Sequence, residues 1–292
     1  MKNIIFIIVL FTAFTSCSDF LDVNQNPNDP TKAPLSSLLT SSEKNMADGL
    51  CIGSGIGSEL ATYVHQQSVR GNSDQYNVDG NSFWINALWV EYFQEGLADI
   101  DVMILQGTDT KALTYAGVGK IMKAYAFSQL VDVFGDVPFS EYNDFKKTSA
   151  PKFDDDAEIY PKLLKLIDEG IADINNDKSL PGLKPGKDDL IYGGNTVNWR
   201  KAANTIKLKL LNQMRKVKDV KNDVALLLSK PESLINSETE SFLFPYGNLA
   251  ATDDRHPGFG DYTATQRSNH ISPWFYEILK GYNKFIYTGT PD

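Results

Sequence analysis

The sequence predicts a mostly α-helical protein, and three observations carry that prediction. The segment from Lys111 to Phe134 is apolar around nearly its whole circumference at helical pitch, as a helix buried on most sides must be. Several further segments repeat apolar residues at helical spacing and follow one another through short connections, which points to stacked helix pairs. After about residue 230 the pattern changes, with Pro, Gly, Asn and Asp interrupting every apolar run. That last part is expected to be loop-rich and to pack on the helical part.

The chain has 292 residues, enough for one large domain or two. Lys2 precedes an almost uncharged run from Asn3 to Ser16, the right length for the apolar region of a signal peptide and too short to span a bilayer. Residues 1–16 are therefore read as an export signal. Thr15 and Ser16 put small residues before Cys17, so Phe14-Thr15-Ser16-Cys17 resembles the lipobox of bacterial lipoproteins. The resemblance implies cleavage before Cys17 and lipid on its sulfur and new amino group; the alternative is plain secretory cleavage with an ordinary thiol. Two or more acyl chains anchor firmly, because each buried methylene contributes about 0.8 kcal/mol.

Cleavage would remove only Lys2 among the charged residues, leaving 27 basic against 37 acidic. An acidic surface argues against a nucleic-acid partner. Apart from Cys17 the chain has only Cys51, read as a small buried side chain, so the fold must stand without disulfides. Residues 17–34 contain DFLDVNQNPNDPTKAP, dense in Asn, Asp and Pro, and are expected to form an extended tether. Asp22, Asn24 and Asn26 alternate like the start of a calcium loop. Pro27 and Ala33 stand where that loop needs Gly and Glu, and calcium is rejected there.

From residue 35 onward, helices are expected at about 36–48, 57–69, 82–105, 111–134, 156–175 and 196–217. In the third, Ile85, Trp89, Tyr92, Phe93, Ile100, Met103 and Ile104 share one broad face. Gly117 and Gly119 in the fourth offer thin patches for close neighbours. Gly135 can end that helix in a conformation only glycine adopts freely, and Pro138 forbids its resumption. The fifth starts behind Asp154, Asp155 and Asp156, read as caps rather than metal ligands. Pro161 inside it is tolerable near the first turn or at a kink. The sixth takes Thr196 as its cap and packs Trp199, Ala202, Ala203, Ile206 and Leu210 inward. Eight basic residues fall between Arg200 and Lys221 against one acid, Asp219, a face read as solvated or lying against acidic neighbours. Gly53 to Gly57 is read as a flexible turn, and the next helix after 230 is expected only at Ser272–Tyr282. Trp84, Trp89 and Trp199 are expected in the core.

In their order, these features resemble the SusD/RagB family of surface lipoproteins from Bacteroidetes-type bacteria, in the SusD-like branch. The residues that carry the resemblance are Cys17, Phe20–Pro30 (FLDVNQNPNDP), Leu130–Tyr142 (LVDVFGDVPFSEY), Ile159–Leu164 (IYPKLL) and Asp189–Arg215, with its YGGNTVNWRKAANTIKLKLL run. The resemblance implies tetratricopeptide-like helix pairs under a loop-rich, ligand-facing portion, the whole being a SusD-like domain over 35–292. It also implies outer-membrane localisation at the cell surface and binding of oligosaccharide, peptide or another nutrient. The implied partner is a SusC-like TonB-dependent transporter. Family members run well beyond this length, so a C-terminally truncated member is expected.

Flat aromatic rings bind sugar faces while polar side chains fix hydroxyls at the edge. On loop placement and composition, the candidate binding residues are Asn72, Gln75, Tyr76, Asn77, Tyr246, Tyr262, Arg267, Asn269 and Trp274. His65, His256 and His270 lack metal-ligand spacing, and the sequence has no P-loop, HExxH or nucleophile elbow. No cofactor, metal or catalytic residue is expected. The competing reading is a helical-repeat adaptor of a surface complex with no ligand of its own.

Overall fold

In a computed structural model of the chain, the residues described are 32–52, 55–69, 83–144, 147–249, 254–263 and 269–282. The chain divides at Pro34, and the unit Leu35–Asp292 carries every element below. It is mostly helical, as the periodicity predicts. Helix α1 (Leu35–Leu50) buries Leu38, Leu39, Glu43, Met46 and Gly49 along one face. The Tyr92 ring lies so close over Gly49 that a Cβ there would sit 2.8 Å from it.

The expected helix at 57–69 stops early. Helix α2 (Gly57–Tyr63) ends where His65 adopts a positive φ of 62°, and Gln67–Val69 form strand β1 instead. The strand exists because it pairs with β2 (Asn269–Ile271), a contact two hundred residues away that local periodicity does not encode. Gly55 is also tighter than a flexible turn requires, since a Cβ there would lie 2.7 Å from Cys51 N.

Helix α3 (Phe83–Trp89) continues through a π-helical turn, Val90–Gly96, into α4 (Leu97–Asp109). The π turn buries Tyr92 and Gly96. Helix α5 (Leu113–Phe134) follows and is buried on most sides, with Ala116, Val118, Ile121, Met122, Ala124, Ala126, Phe127 and Leu130 all inaccessible. Its small residues do what thin patches allow. A Cβ at Gly119 would lie 2.9 Å from Ile104 Cγ1 on α4, and one at Gly117 would lie 2.6 Å from the carbonyl oxygen of Gly170 on α6 (Asp156–Ile174). Helices α4, α5, α6, α7 (Thr196–Met214) and α8 (Lys221–Leu228) pack each against the next, the arrangement of tetratricopeptide-like pairs. Pro161 sits inside α6 without interrupting it.

Two loops tie these helices. Gly135 takes φ 73°, a region that side-chain-bearing residues avoid. Past it, the Asp154 carboxylate accepts Phe139 N (3.0 Å), Ser140 N (2.7 Å) and Ser140 Oγ (2.9 Å). Burial works to raise the Asp154 pKa, but these donors and Lys152 outweigh it and hold the group down at about 2. Asp154 thus pins the loop, while Asp155 caps α6 by accepting Ala157 N at 2.9 Å. Tyr142 donates to Asp101 on α4, and its ring packs on Phe127 at 5.1 Å.

The second tie is the stretch before α7. Asp189 accepts Tyr192 N (2.8 Å), Gly194 N (2.8 Å), Ile191 N (3.2 Å) and the indole N–H of Trp199 (2.7 Å). Tyr115 on α5 donates to Asp188, and Leu190 N donates to Glu43 on α1, both at 2.7 Å. The cap of α7 is Asn195, not Thr196: its Oδ1 accepts Val197 N and Asn198 N, because Gly193 and Gly194, at φ 60° and 82°, turn the chain one residue earlier. Trp199 is fully buried as expected, whereas Trp89 is half-buried between Phe93, Phe134 and Phe153; the Trp84 side chain lies outside the described residues.

Beyond 230 the chain is loop-rich, but a short helix α9 (Gly258–Thr263) precedes α10 (Pro273–Leu279). Helix α8 was absent from the periodicity reading because its eight residues bury none of their side chains fully.

Candidate functional site

The ligand-facing surface is expected on the loop-rich part, and a two-stranded ribbon organises its edge. Gln67, Ser68 and Val69 pair antiparallel with Ile271, His270 and Asn269. Ser272 then locks the ribbon to α10. Its N–H donates to Gln66 O at 3.1 Å, its hydroxyl donates to His65 O, and its Oγ accepts Phe275 N at 3.0 Å as the helix cap. Pro273 follows at the first helical position, where a missing N–H costs nothing. This rigid start holds Trp274 edge-on to His65, with ring centres 5.7 Å apart, and leaves 43% of the tryptophan exposed. Tyr276, one residue past Phe275, is exposed as well.

Asn72, Gln75, Tyr76, Asn77 and Arg267, like Cys17, lie outside the described residues. Asn269 itself is half-buried in the ribbon.

Tyr246 serves a different purpose. Its hydroxyl donates to Asp48 at the end of α1 (2.8 Å), and its ring packs between Phe244 (4.9 Å) and His256 (4.7 Å). Burial, then the hydrogen bond to Asp48 and its charge, push the phenol pKa well above the ordinary value. Tyr246 is an anchor that fixes 242–249 to α1 rather than a free ring. The neighbouring turn is equally built: Asp254 accepts Gly247 N through its carbonyl (2.7 Å) and Leu249 N through its carboxylate (2.8 Å). Arg255 lies over the Phe259 ring at 5.0 Å. Tyr262 on α9 is 64% exposed.

Of the described candidates, Trp274 and Tyr262 therefore present aromatic faces to solvent, Asn269 stands at the ribbon's end, and Tyr246 is structural. Sequence reading missed Tyr63, Phe259 and Tyr276, which are also exposed. The WFY run signals Tyr276; for Tyr63 and Phe259 no local signal distinguishes an exposed ring from a packed one. Among the described residues, the acidic trio Asp136, Asp155 and Asp156 is exposed, with Asp136 and Asp155 accepting backbone N–H groups at the start of α6.

The match to a known family decides what carries this surface. Residues 27–279 match the family described as "Starch-binding associating with outer membrane", of the SusD-like kind. The chain belongs to the SusD/RagB family. Among solved structures, a SusD/RagB family protein of Bacteroides thetaiotaomicron superposes with a TM-score of 0.70 at 20% identity, covering 82% of this chain and 50% of that one. A SusD homologue of Bacteroides fragilis gives 0.65 at 19% identity, covering 86% and 51%. A protein described as chitin-binding gives 0.63 at 21% identity, covering 86% and 54%. At these identities the likeness establishes the fold, and the chain spans about half the length of these relatives. No curated protein matches the chain. The family is associated with the outer membrane by its description, and no helix among the described residues is long and apolar enough to cross a membrane.

Proposed function

We propose that the chain is the body of a cell-surface lipoprotein that binds oligosaccharide, or a peptide or other nutrient, and passes it to a SusC-like TonB-dependent transporter. The observation that carries this reading is the family match over 27–279. The geometry is consistent with it: helix pairs tied by Asp154 and Asp189 form a stiff support, and Trp274 and Tyr262 are exposed on the loop-rich part. Residues 1–16 act as the lipoprotein signal, Cys17 carries the lipid, and residues 17–34 tether the domain to the outer face of the outer membrane. The role is binding rather than catalysis.

The test is a glycan and peptide array probed with the chain from Ser18 onward, followed by titration of any hit against Trp274→Ala and Tyr262→Ala. Loss of one stacked ring is expected to weaken binding by roughly fivefold, since ring stacking contributes on the order of 1 kcal/mol. Absence of any ligand at millimolar concentration, with the transporter still co-purifying, overturns the binding role and leaves the adaptor reading.

A further inference from the structure

Seven of the eight basic residues from Arg200 to Lys221 fall into two groups. Lys201, Lys207 and Lys209 lie against acidic neighbours, reaching Glu240 (2.5 Å), Asp168 (2.6 Å) and Asp132 (2.8 Å). Arg215, Lys216, Lys218 and Lys221 form no ion pair among the described residues, and all four are exposed. The one acid among them, Asp219, is turned to Lys221 N, which it accepts at 3.1 Å at the start of α8. Four unpaired cations within seven positions stand out in a chain of net charge −9.

Three of these cations, Arg215, Lys218 and Lys221, border a hollow of the described surface. Between α7 and α8 runs a groove of about 940 Å³ with an apolar floor that includes Leu208, Val220, Val224 and Leu228, and with Arg215, Lys218 and Lys221 among its lining residues. Lys218 also lines a second hollow of about 520 Å³, against Tyr160, Pro161, Met214 and Val217. Val217, 85% exposed, lines the second hollow.

We propose that this trough docks a short, acidic, amphipathic peptide segment of a partner protein. The apolar floor accepts one face of such a segment and the unpaired cations meet its acids, so floor and rim select together. A concave floor between two helices suits a peptide better than a bilayer, which needs a protruding apolar face. Three unpaired cations beside an apolar floor on an acidic protein also do not suit nucleic acid. Helix α8 is eight residues long, so the trough matches about 12 Å of an occupant, or roughly two helical turns. The trough's lining residues lie on α7, α8 and the turn between them, and none belongs to the ribbon or to α10.

The test uses the chain from Ser18 onward and a fluorescent peptide of about twelve residues, with Leu at positions i, i+3, i+4 and i+7 and Glu elsewhere. Two control peptides replace Glu by Lys or Leu by Ser. The acidic amphipathic peptide is expected to bind at least roughly tenfold more tightly than either control, and raising the salt is expected to weaken it. Arg215→Glu with Lys218→Glu, both exposed positions, is expected to reduce its affinity roughly tenfold while circular dichroism stays unchanged. Equal binding of the three peptides, no binding at millimolar concentration, or insensitivity to the double charge reversal overturns the proposal. Preferential binding to anionic phosphatidylglycerol vesicles over the peptide also overturns it, in favour of a lipid surface.

Discussion

Replacing Gly117 by alanine tests the central packing of the helix pairs. The new Cβ would stand 2.6 Å from Gly170 O, 2.8 Å from Ile174 Cγ1 and 3.1 Å from Ile174 N. Comfortable contact begins near 3.5 Å, so α5 and α6 would have to part by up to roughly 1 Å where they cross. Two of the three obstacles are backbone atoms inside a helix, which cannot swing aside as a side-chain tip can. Overpacking of this kind costs about 1–3 kcal/mol, and this site belongs at the upper end. Alanine returns about 1 kcal/mol through its better helix propensity, leaving a net loss of about 2 kcal/mol. For a body of this size the melting temperature should fall by about 4–8 °C. Thermal and urea unfolding followed by circular dichroism measure it. Gly182→Ala, with no atom within 4 Å of its Cβ and no positive φ, is the control and should change stability by less than about 0.5 kcal/mol. A Gly117→Ala melting temperature equal to or above that of the parent protein would refute the close crossing.

Three further outcomes are expected. Burial first, and then the negative Asp189, push the Glu43 carboxyl up to about 9 from an ordinary 4.5, so the folded protein holds a proton that the unfolded chain releases. Its contribution is full below about pH 4.5 and is lost as pH rises towards 9; Glu43→Gln should flatten that decline in urea midpoints, and an unchanged slope would assign it elsewhere. Asp154 is the opposite case, with its pKa lowered to about 2, so its contribution is present above pH 3.8 and lost below. Asp154→Asn removes the charge that its backbone donors and Lys152 hold, and with its oxygen kept on the two backbone N–H groups it turns an NH2 towards Lys152; it should cost about 2 kcal/mol at pH 7, read as a lower urea midpoint. Cys17→Ala should move the protein from the detergent phase to the aqueous phase in detergent partitioning of cells, and retention in the membrane would exclude Cys17 as the anchor.

Much of the helical framework was readable because its cause is local. A residue run that is apolar on all sides, such as Lys111–Phe134, can only be stable when surrounded, and Gly117 and Gly119 announce where the surroundings come closest. The same locality explains the failures. Thr196 was as good a cap as Asn195 in composition, and only the two left-handed glycines before it fix which residue caps. Gln67–Val69 continued a helical pattern and became a strand because Asn269–Ile271 offered it backbone partners. Helix α8 hides from periodicity because it lies against α7 with none of its residues fully buried.

The candidate surface was legible only as a composition of aromatic and polar residues. Whether a ring in a loop faces solvent or packs depends on what arrives from elsewhere in the chain. Asp48, on α1, takes the hydroxyl of Tyr246 and removes that residue from the candidates, whereas His65 and the Ser272 lock leave Trp274 presented. The basic run posed the same question, and Glu240, Asp168 and Asp132 answer it for three lysines while leaving the last four cations unpaired.

The sequence by itself determined most of the helical framework and the family, since each rests on residues close together along the chain. Tertiary structure alone decided which strand pairs at the ribbon, which aromatic rings remain exposed and where unpaired charge gathers. Those outcomes depend on groups brought together from distant positions, and the free energy of such meetings is not written in any local pattern.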